Sequence, residues 1–370
     1  MIFLYSDVLY RAGGIETYLH ALATHLHQEK IPFCVVVAEL ESCPLVDELV
    51  KIGIHVYRQP RVWGDRWLVR QRLMLAWLGT QLKPGDWVYC VRQPMPQLYL
   101  NMVRLVHQRG ARIAASWMLA PEFLPPLSPH GQKFCEAVAE TDAVISVSQC
   151  TVDQFKQIYG YTGKVHVVPY HNLLLFPEIV SLPPSPPWKI GFLGRLDIKQ
   201  KNLDTLLQAI ATLVNNQKPV ELHLYGRGAD QPQLEKLAEE LGITQQVIFH
   251  GAYDHRQDLP KIMANCHLFV YPSRFEGGPC FTLLELMQAG RFCVAAKVGG
   301  IPDLYEGYPE IGLLVSPDHP EELNQALTIA LEKVANGSID SEKIRARYFS
   351  GFDMQSGHRA WTAVINTNSQ

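Results

Sequence analysis

Short apolar runs alternate along this chain with longer stretches in which apolar residues recur every three or four positions. The runs Met1-Ile2-Phe3-Leu4-Tyr5, Phe33-Cys34-Val35-Val36-Val37, Ile54-His55-Val56-Tyr57 and Trp87-Val88-Tyr89-Cys90 come first. Ile113-Ala114-Ala115-Ser116, Ala143-Val144-Ile145-Ser146-Val147 and Val165-His166-Val167-Val168 continue the series. Such runs predict strands buried on both faces of a parallel sheet. Between them, Tyr18, Leu19, Leu22, Ala23 and Leu26 lie at helical spacing and predict a helix from Ile15 to about His27. Strands alternating with helices imply right-handed crossovers and an α/β fold. The rhythm breaks at Ser181-Leu182-Pro183-Pro184-Ser185-Pro186-Pro187, a composition that predicts a stiff, extended linker. It resumes with Ile190-Gly191-Phe192-Leu193, Leu222-His223-Leu224-Tyr225, Val247-Ile248-Phe249, Leu268-Phe269-Val270 and Cys293-Val294-Ala295. The predicted organisation is a domain over 1–172, a linker over 173–187, a second domain over 188–345 and a C-terminal helical segment over 346–370.

Composition narrows the class. The chain has 370 residues, 47% hydrophobic and 19% charged, which suits two globular domains. A net charge of −3 gives no electrostatic case for nucleic acid. No apolar run approaches the roughly 18 residues of a membrane span, and no basic n-region precedes an h-region. The eight cysteines show no C-x-x-C pair or zinc spacing, and several sit in apolar runs, as reduced thiols of a cytoplasmic protein do.

The richest chemistry lies between Phe269 and Gly290. Here the strand Leu268-Phe269-Val270 runs into a loop holding Glu276, Gly277 and Gly278. A helix follows, starting between Pro279 and Thr282 and stopping at Gly290, a natural C′ residue. Glycines let a ligand approach the backbone, and a helix N-terminus offers free N–H groups to an anion. Carboxylates accept several hydrogen bonds and suit sugar hydroxyls. The plainer alternative is a turn and a core helix with a paired glutamate. Arg195 and Lys201 follow another strand and suit a diphosphate, Arg as a fork and Lys as a point charge. Two solvated surface cations would be the plainer reading there.

Taken together, Arg274-Phe275-Glu276-Gly277 and Leu284-Glu285-Leu286-Met287-Gln288-Ala289-Gly290 resemble the C-terminal signature of the retaining family 4 glycosyltransferases, the group 1 transferases. That signature has two glutamates within a line like F-E-G-x-x-x-x-x-L-E-A-M-A-x-G. Eight residues separate Glu276 from Glu285 here, one more than the family's seven. Gly194-Arg195-Leu196 with Lys201-Asn202 resembles the family's G-R-L…K-G line, with Asn202 in place of glycine. Tyr225-Gly226-Arg227-Gly228, Phe249-His250-Gly251 and Val298-Gly299-Gly300-Ile301-Pro302 match further motifs in order. In the first domain the resemblance rests on Gly13-Gly14 and the strand order. Ala115-Ser116-Trp117-Met118 stands where many members carry a histidine, so no catalytic histidine is assigned.

The resemblance implies a GT-B fold, two Rossmann-like domains with parallel sheets facing a central cleft, with the last helix crossing back to the first domain. It implies a retaining, metal-independent transferase that moves a sugar from a nucleotide diphosphate sugar to an acceptor hydroxyl. Glu276, Arg195 and Lys201 would be catalytic. Gly13, Gly14, Arg195, Lys201, Gly277, Gly278, Phe281, Thr282 and Glu285 would bind the donor, Glu285 through its ribose. No cofactor beyond the substrate is implied. The acceptor would be a glycan, a lipid-linked glycan or a small molecule. A phosphorylase or epimerase on the same fold, or a non-catalytic nucleotide-sugar-binding or interaction protein, are the alternatives.

Residues 51–112 hold eleven Lys or Arg and two acids. Within them Arg61, Arg66, Arg70 and Arg72 interleave with Trp67, Leu73, Met74 and Trp77. Two readings fit. The apolar residues pack on the sheet while the arginines are solvated or read an anionic acceptor, or the stretch lies on an anionic membrane at its cytoplasmic face.

Overall fold

The computed structural model describes residues 1–9, 14–40, 43–59, 67–92, 94–118, 128–172, 175–255 and 257–368. They form two compact units, residues 1–172 with 357–370, and residues 173–356.

The first unit is built on a seven-stranded, all-parallel sheet. Its strands are β1 (Ile2–Leu9), β2 (Phe33–Leu40), β3 (Val56–Arg58), β4 (Trp87–Arg92), β5 (Arg112–Trp117), β6 (Ala143–Ser146) and β7 (Lys164–Val167). They lie in the order β3-β2-β1-β4-β5-β6-β7. Residues Phe3 to Leu9 of β1 are all buried, as a central strand covered on both faces requires. The third strand begins at Val56, two residues later than its apolar run. Ile54 instead closes the turn after the helix Pro44–Lys51, its N–H donating to the Leu49 carbonyl at 3.0 Å. Trp117, within the Ala115–Met118 stretch, is a core residue whose ring centroid lies 4.6 Å from that of Phe155. The last helix, Met354–Asn368, sets Trp361 5.2 Å from the Tyr89 ring within this unit.

In the helix Trp67–Gln81, Met74 and Trp77 pack inward as the first of the two readings has it, whereas Arg70 is buried rather than solvated. Met74 is fully buried, Arg70 is 6% exposed, and Trp77 stacks on Tyr57 at 3.5 Å. Those residues pack inward and cannot form a surface face. Leu68, Val69 and Leu73 are the large apolar residues left exposed on this helix. Arg61 and Arg66 lie outside the described residues.

The second unit carries a six-stranded parallel sheet in the order β10-β9-β8-β11-β12-β13. These strands are β8 (Trp188–Leu193), β9 (Val220–Tyr225), β10 (Val247–Gly251), β11 (Leu268–Tyr271), β12 (Cys293–Ala296) and β13 (Gly312–Val315). Strand order reverses between β8 and β11. In doubly wound sheets ligands bind outside the carboxyl ends of the strands at that switch point. The segment read as a stiff, extended linker is packed along this unit. Val180 N–H donates to the Ala289 carbonyl, Arg345 to Pro177, and Leu175 N–H to the Gln288 side chain. Arg291, 1% exposed, donates to the Ser181 and Met263 carbonyls, and burial pushes its pKa down to about 10. Prolines stiffen this segment, but buried donors of the unit still need its carbonyls.

Candidate active site

The loops after β8 and β11 meet at the switch point. Behind β8, Gly194 N–H donates to the Tyr225 carbonyl and Leu196 N–H to the Arg227 carbonyl. A Cβ on Gly226 or Gly228 would overlap the carbonyls of Gly194 and Leu196. These glycines let two loops lie against each other, which holds Arg195 at the strand end.

Asp197 then caps the short helix Ile198–Lys201, accepting from Gln200 N–H at 2.9 Å. The helix stops at Asn202, whose φ of +57° is left-handed. Glycine and asparagine are the residues that tolerate this backbone, which explains the asparagine at the family's glycine position. Asn202 Nδ2 donates to the Pro272 carbonyl at 3.0 Å and ties this turn to the end of β11.

Five side chains converge there. Lys201 Nζ lies 2.5 Å from Glu276 Oε1 and donates to the Tyr271 hydroxyl at 2.6 Å. Gln200 Nε2 reaches Glu276 Oε2 at 3.4 Å, and its Oε1 accepts from Arg195 at 2.6 Å. Lys201 and Glu276 are nearly enclosed, with side chains 10% and 11% exposed, whereas Arg195 is 59% exposed and also meets Asp197 at 3.4 Å. Tyr271 is held protonated, its pKa raised chiefly by burial and further by Cys280 and Glu276. Arg274 braces the loop, pairing with Asp204 at 3.0 Å and with Asp318. Gly299, at φ +53°, sits so close that a Cβ would overlap the Glu276 carbonyl.

The predicted residues divide accordingly. Arg195, Lys201 and Glu276 are joined through Gln200. Gly277 and Gly278 follow in the loop, and neither takes a left-handed backbone. Phe281 and Thr282 open the helix Phe281–Gln288, whose N-cap residue Cys280 makes no side-chain capping bond. Glu285 sits one turn in, its side chain 4% exposed and its Oε1 2.5 Å from His255 Nε2. Gly14 is the first residue of the helix Gly14–Gln28 in the other unit, and Gly13 lies outside the described residues. Gln200, Tyr271, Gly299 and His255 are site residues that sequence reasoning missed. Gln200, beside Lys201, and Gly299, within the Val298-Gly299-Gly300 motif, had a local signal. Among the described residues, no three His, Cys, Asp or Glu side chains group as a metal site.

Two doubly wound parallel units, the second with a cationic and carboxylate cluster at its switch point, define the class of GT-B glycosyltransferases. A Glycosyltransferase Family 4 model matches residues 12–170, and a Glycosyl transferases group 1 model matches residues 187–333. Between them the two models span both units of the chain, as in a GT-B glycosyltransferase. A Corynebacterium glutamicum GDP-mannose-dependent mannosyltransferase, named for a monoacylated phosphatidylinositol monomannoside, is 23% identical over 56% of this chain and 59% of its own length. A Campylobacter jejuni N-acetylgalactosaminyltransferase named for a diphospho-undecaprenol-linked sugar is 32% identical over 42% of this chain and 41% of its own length. The chain thus spans less than two thirds of the length of either relative. Among solved structures, the lipopolysaccharide outer core galactosyltransferase WaaB shares a TM-score of 0.75 at 19% identity, over 99% of both chains. Anabaena HepE in complex with UDP-glucose shares 0.74 at 20% identity, also over 99% of both.

Proposed function

We propose that this protein transfers a sugar from a nucleotide diphosphate sugar to a hydroxyl of a glycan or lipid-linked glycan, with retention at the anomeric carbon. The observation that carries this reading is the Arg195–Gln200–Glu276–Lys201 network at the β8/β11 switch point. A leaving diphosphate gains charge as the glycosidic bond breaks, and preorganised cations stabilise that charge best in an enclosed site. Lys201 supplies an enclosed point charge and Arg195 an exposed fork, so the reading needs no metal. The uncapped N–H groups before Thr282 add donors. Glu285 takes the ribose hydroxyls, and Glu276 lies beside the donor sugar. Retention rests on the family resemblance. The names of the relatives, which include phosphatidylinositol-based and undecaprenol-linked sugars, support a lipid-linked acceptor, and with it a reaction at a membrane surface. Exposed Leu68, Val69 and Leu73, with Arg72 beside them, are the surface such an association would use.

The test is to incubate the protein with UDP-, GDP- and ADP-sugars and an acceptor panel, follow nucleotide release, and read the anomeric proton of the product by NMR. Arg195→Ala should lower turnover at least about tenfold, because a charge-assisted hydrogen bond is worth roughly 1.5–3 kcal/mol. Its melting temperature should not move, since the side chain is exposed. An inverted product would refute retention, and wild-type turnover in the variant would refute the phosphate role.

A further inference from the structure

Glu285 already has an internal partner where the proposed function needs a ribose. His255 lies 2.5 Å from its Oε1 and is 50% exposed, while Glu285 is 4% exposed. The imidazole therefore forms the solvent side of an otherwise enclosed carboxylate. Among the described residues no other cation is within ion-pair distance of Glu285. The surrounding titratable groups come from three elements. Tyr253 and Asp254 lie with His255 in the loop after β10, Cys280 precedes the helix Phe281–Gln288, and Tyr348 comes from the helix Ser341–Phe349 with Arg345 beside it. Arg256 lies outside the described residues. Burial, reinforced by Glu285, keeps both Tyr253 and Tyr348 protonated through neutral pH. Burial likewise pushes the Cys280 thiol up to about 12.

The geometry points to His255 as a built-in competitor of the donor nucleotide: it occupies the Glu285 oxygen that ribose hydroxyls would use, and it leaves when the nucleotide binds. This inference rests on the nucleotide reading of the site. A buried carboxylate without a partner is costly, so the empty site supplies one from the chain. A ribose offers two O–H donors where the imidazole offers a single N–H, so exchange with neutral His255 keeps the carboxylate satisfied. A protonated imidazole forms an ion pair with the carboxylate, stronger than the bond from a neutral ring, and is harder to displace. Proton and nucleotide therefore oppose each other. Affinity should fall as pH is lowered through the range where imidazoles titrate, about pH 6.5.

Isothermal titration of UDP, GDP and ADP at pH 8.0, 7.0 and 5.5 tests this in the wild type, His255→Ala, His255→Gln and Glu285→Gln. The wild-type dissociation constant for the nucleotide that binds should rise at least about fivefold from pH 8.0 to 5.5, within the limit of tenfold per pH unit for one linked proton. His255→Ala should bind at least as tightly as wild type at pH 8.0 and more tightly at pH 5.5. The part of the pH dependence that it loses should also be lost in His255→Gln, which keeps a donor but cannot titrate. Calorimetry of the unliganded variants checks that they fold. Weaker binding by His255→Ala at every pH would make the histidine a support for Glu285 and overturn the proposal. An unchanged pH profile in both histidine variants would overturn it too. Nucleotide binding that Glu285→Gln leaves unaltered would overturn this proposal and the ribose role of Glu285, but not the transferase reading. Absence of binding by any of the three nucleotides would overturn the function reading along with it.

Discussion

The enclosed Lys201–Glu276 pair invites a double-mutant cycle. At 10% and 11% exposure, neither charge has much water to fall back on. Lys201→Met removes the cation and leaves Glu276 with only the long contact from Gln200 Nε2 at 3.4 Å. Breaking a buried pair from one side costs roughly 3–5 kcal/mol, because the remaining charge is uncompensated. In a unit of this size, 1 kcal/mol moves the melting temperature by about 2–4 °C, so a loss of roughly 6 °C or more is expected. Glu276→Gln should cost less, since Lys201 keeps the Tyr271 hydroxyl at 2.6 Å. The double variant should recover part of the loss, giving a coupling of about 2 kcal/mol between the two positions. Differential scanning calorimetry, resolving the transitions of the two units, supplies the numbers. Additive effects, with coupling below about 0.5 kcal/mol, would mean that the pair is bathed in water and that the site is not enclosed.

Two further outcomes follow from other parts of the molecule. Gly299→Ala should lose activity and destabilise the second unit by more than about 1 kcal/mol, because φ is +53° and the added Cβ meets the Glu276 carbonyl; full activity would mean that the loop relaxes freely. In the first unit, His25 is fully buried against His358, with ring centroids 4.1 Å apart, and burial, helped by His358 and His171, pushes its pKa down to about 4. The folded state then binds fewer protons than the unfolded one between about pH 6.5 and 4. Its stability should be constant above pH 6.5 as far as His25 is concerned and fall by about 2–3 kcal/mol by pH 4.5. Urea denaturation in which His25→Gln shows the same pH dependence as wild type would refute it.

The sheets were legible because a parallel strand buried on both faces leaves an uninterrupted apolar run, as Phe3 to Leu9 does. Edge strand β3 was blurred because Ile54 is buried for the sake of a turn. The basic helix was left open between two readings for a related reason. Its sequence shows which residues are apolar or charged, but not that Arg70 and Met74 turn inward. The motif glutamates and cations could be found because Arg195 and Glu276 lie beside glycines just after strands, and Lys201 and Glu285 follow in the short helices behind them. Their partners could not. Lys201 and Glu276 are 75 positions apart, and His255 is 30 from Glu285. No periodicity reports such a contact. The role of Gly299 was equally hidden, because the backbone that it must fit belongs to a different loop.

These pairings bear on how the proposed reaction would begin. The charged groups of the site already have partners: Glu276 holds Lys201, His255 covers Glu285, and Arg274 is shared between Asp204 and Asp318. On the proposed function, a diphosphate arriving alone must take Lys201 from Glu276 and leave that carboxylate buried and unpaired. A free sugar arriving alone meets a carboxylate whose oxygens already accept from Lys201 and Gln200. A complete nucleotide sugar does both at once, since its diphosphate can draw Lys201 away while its sugar hydroxyls satisfy Glu276. The cost of opening the pair is then met only by the joined donor. Sugar and diphosphate should therefore bind more tightly together than their separate affinities suggest, which favours the intact donor over its breakdown products.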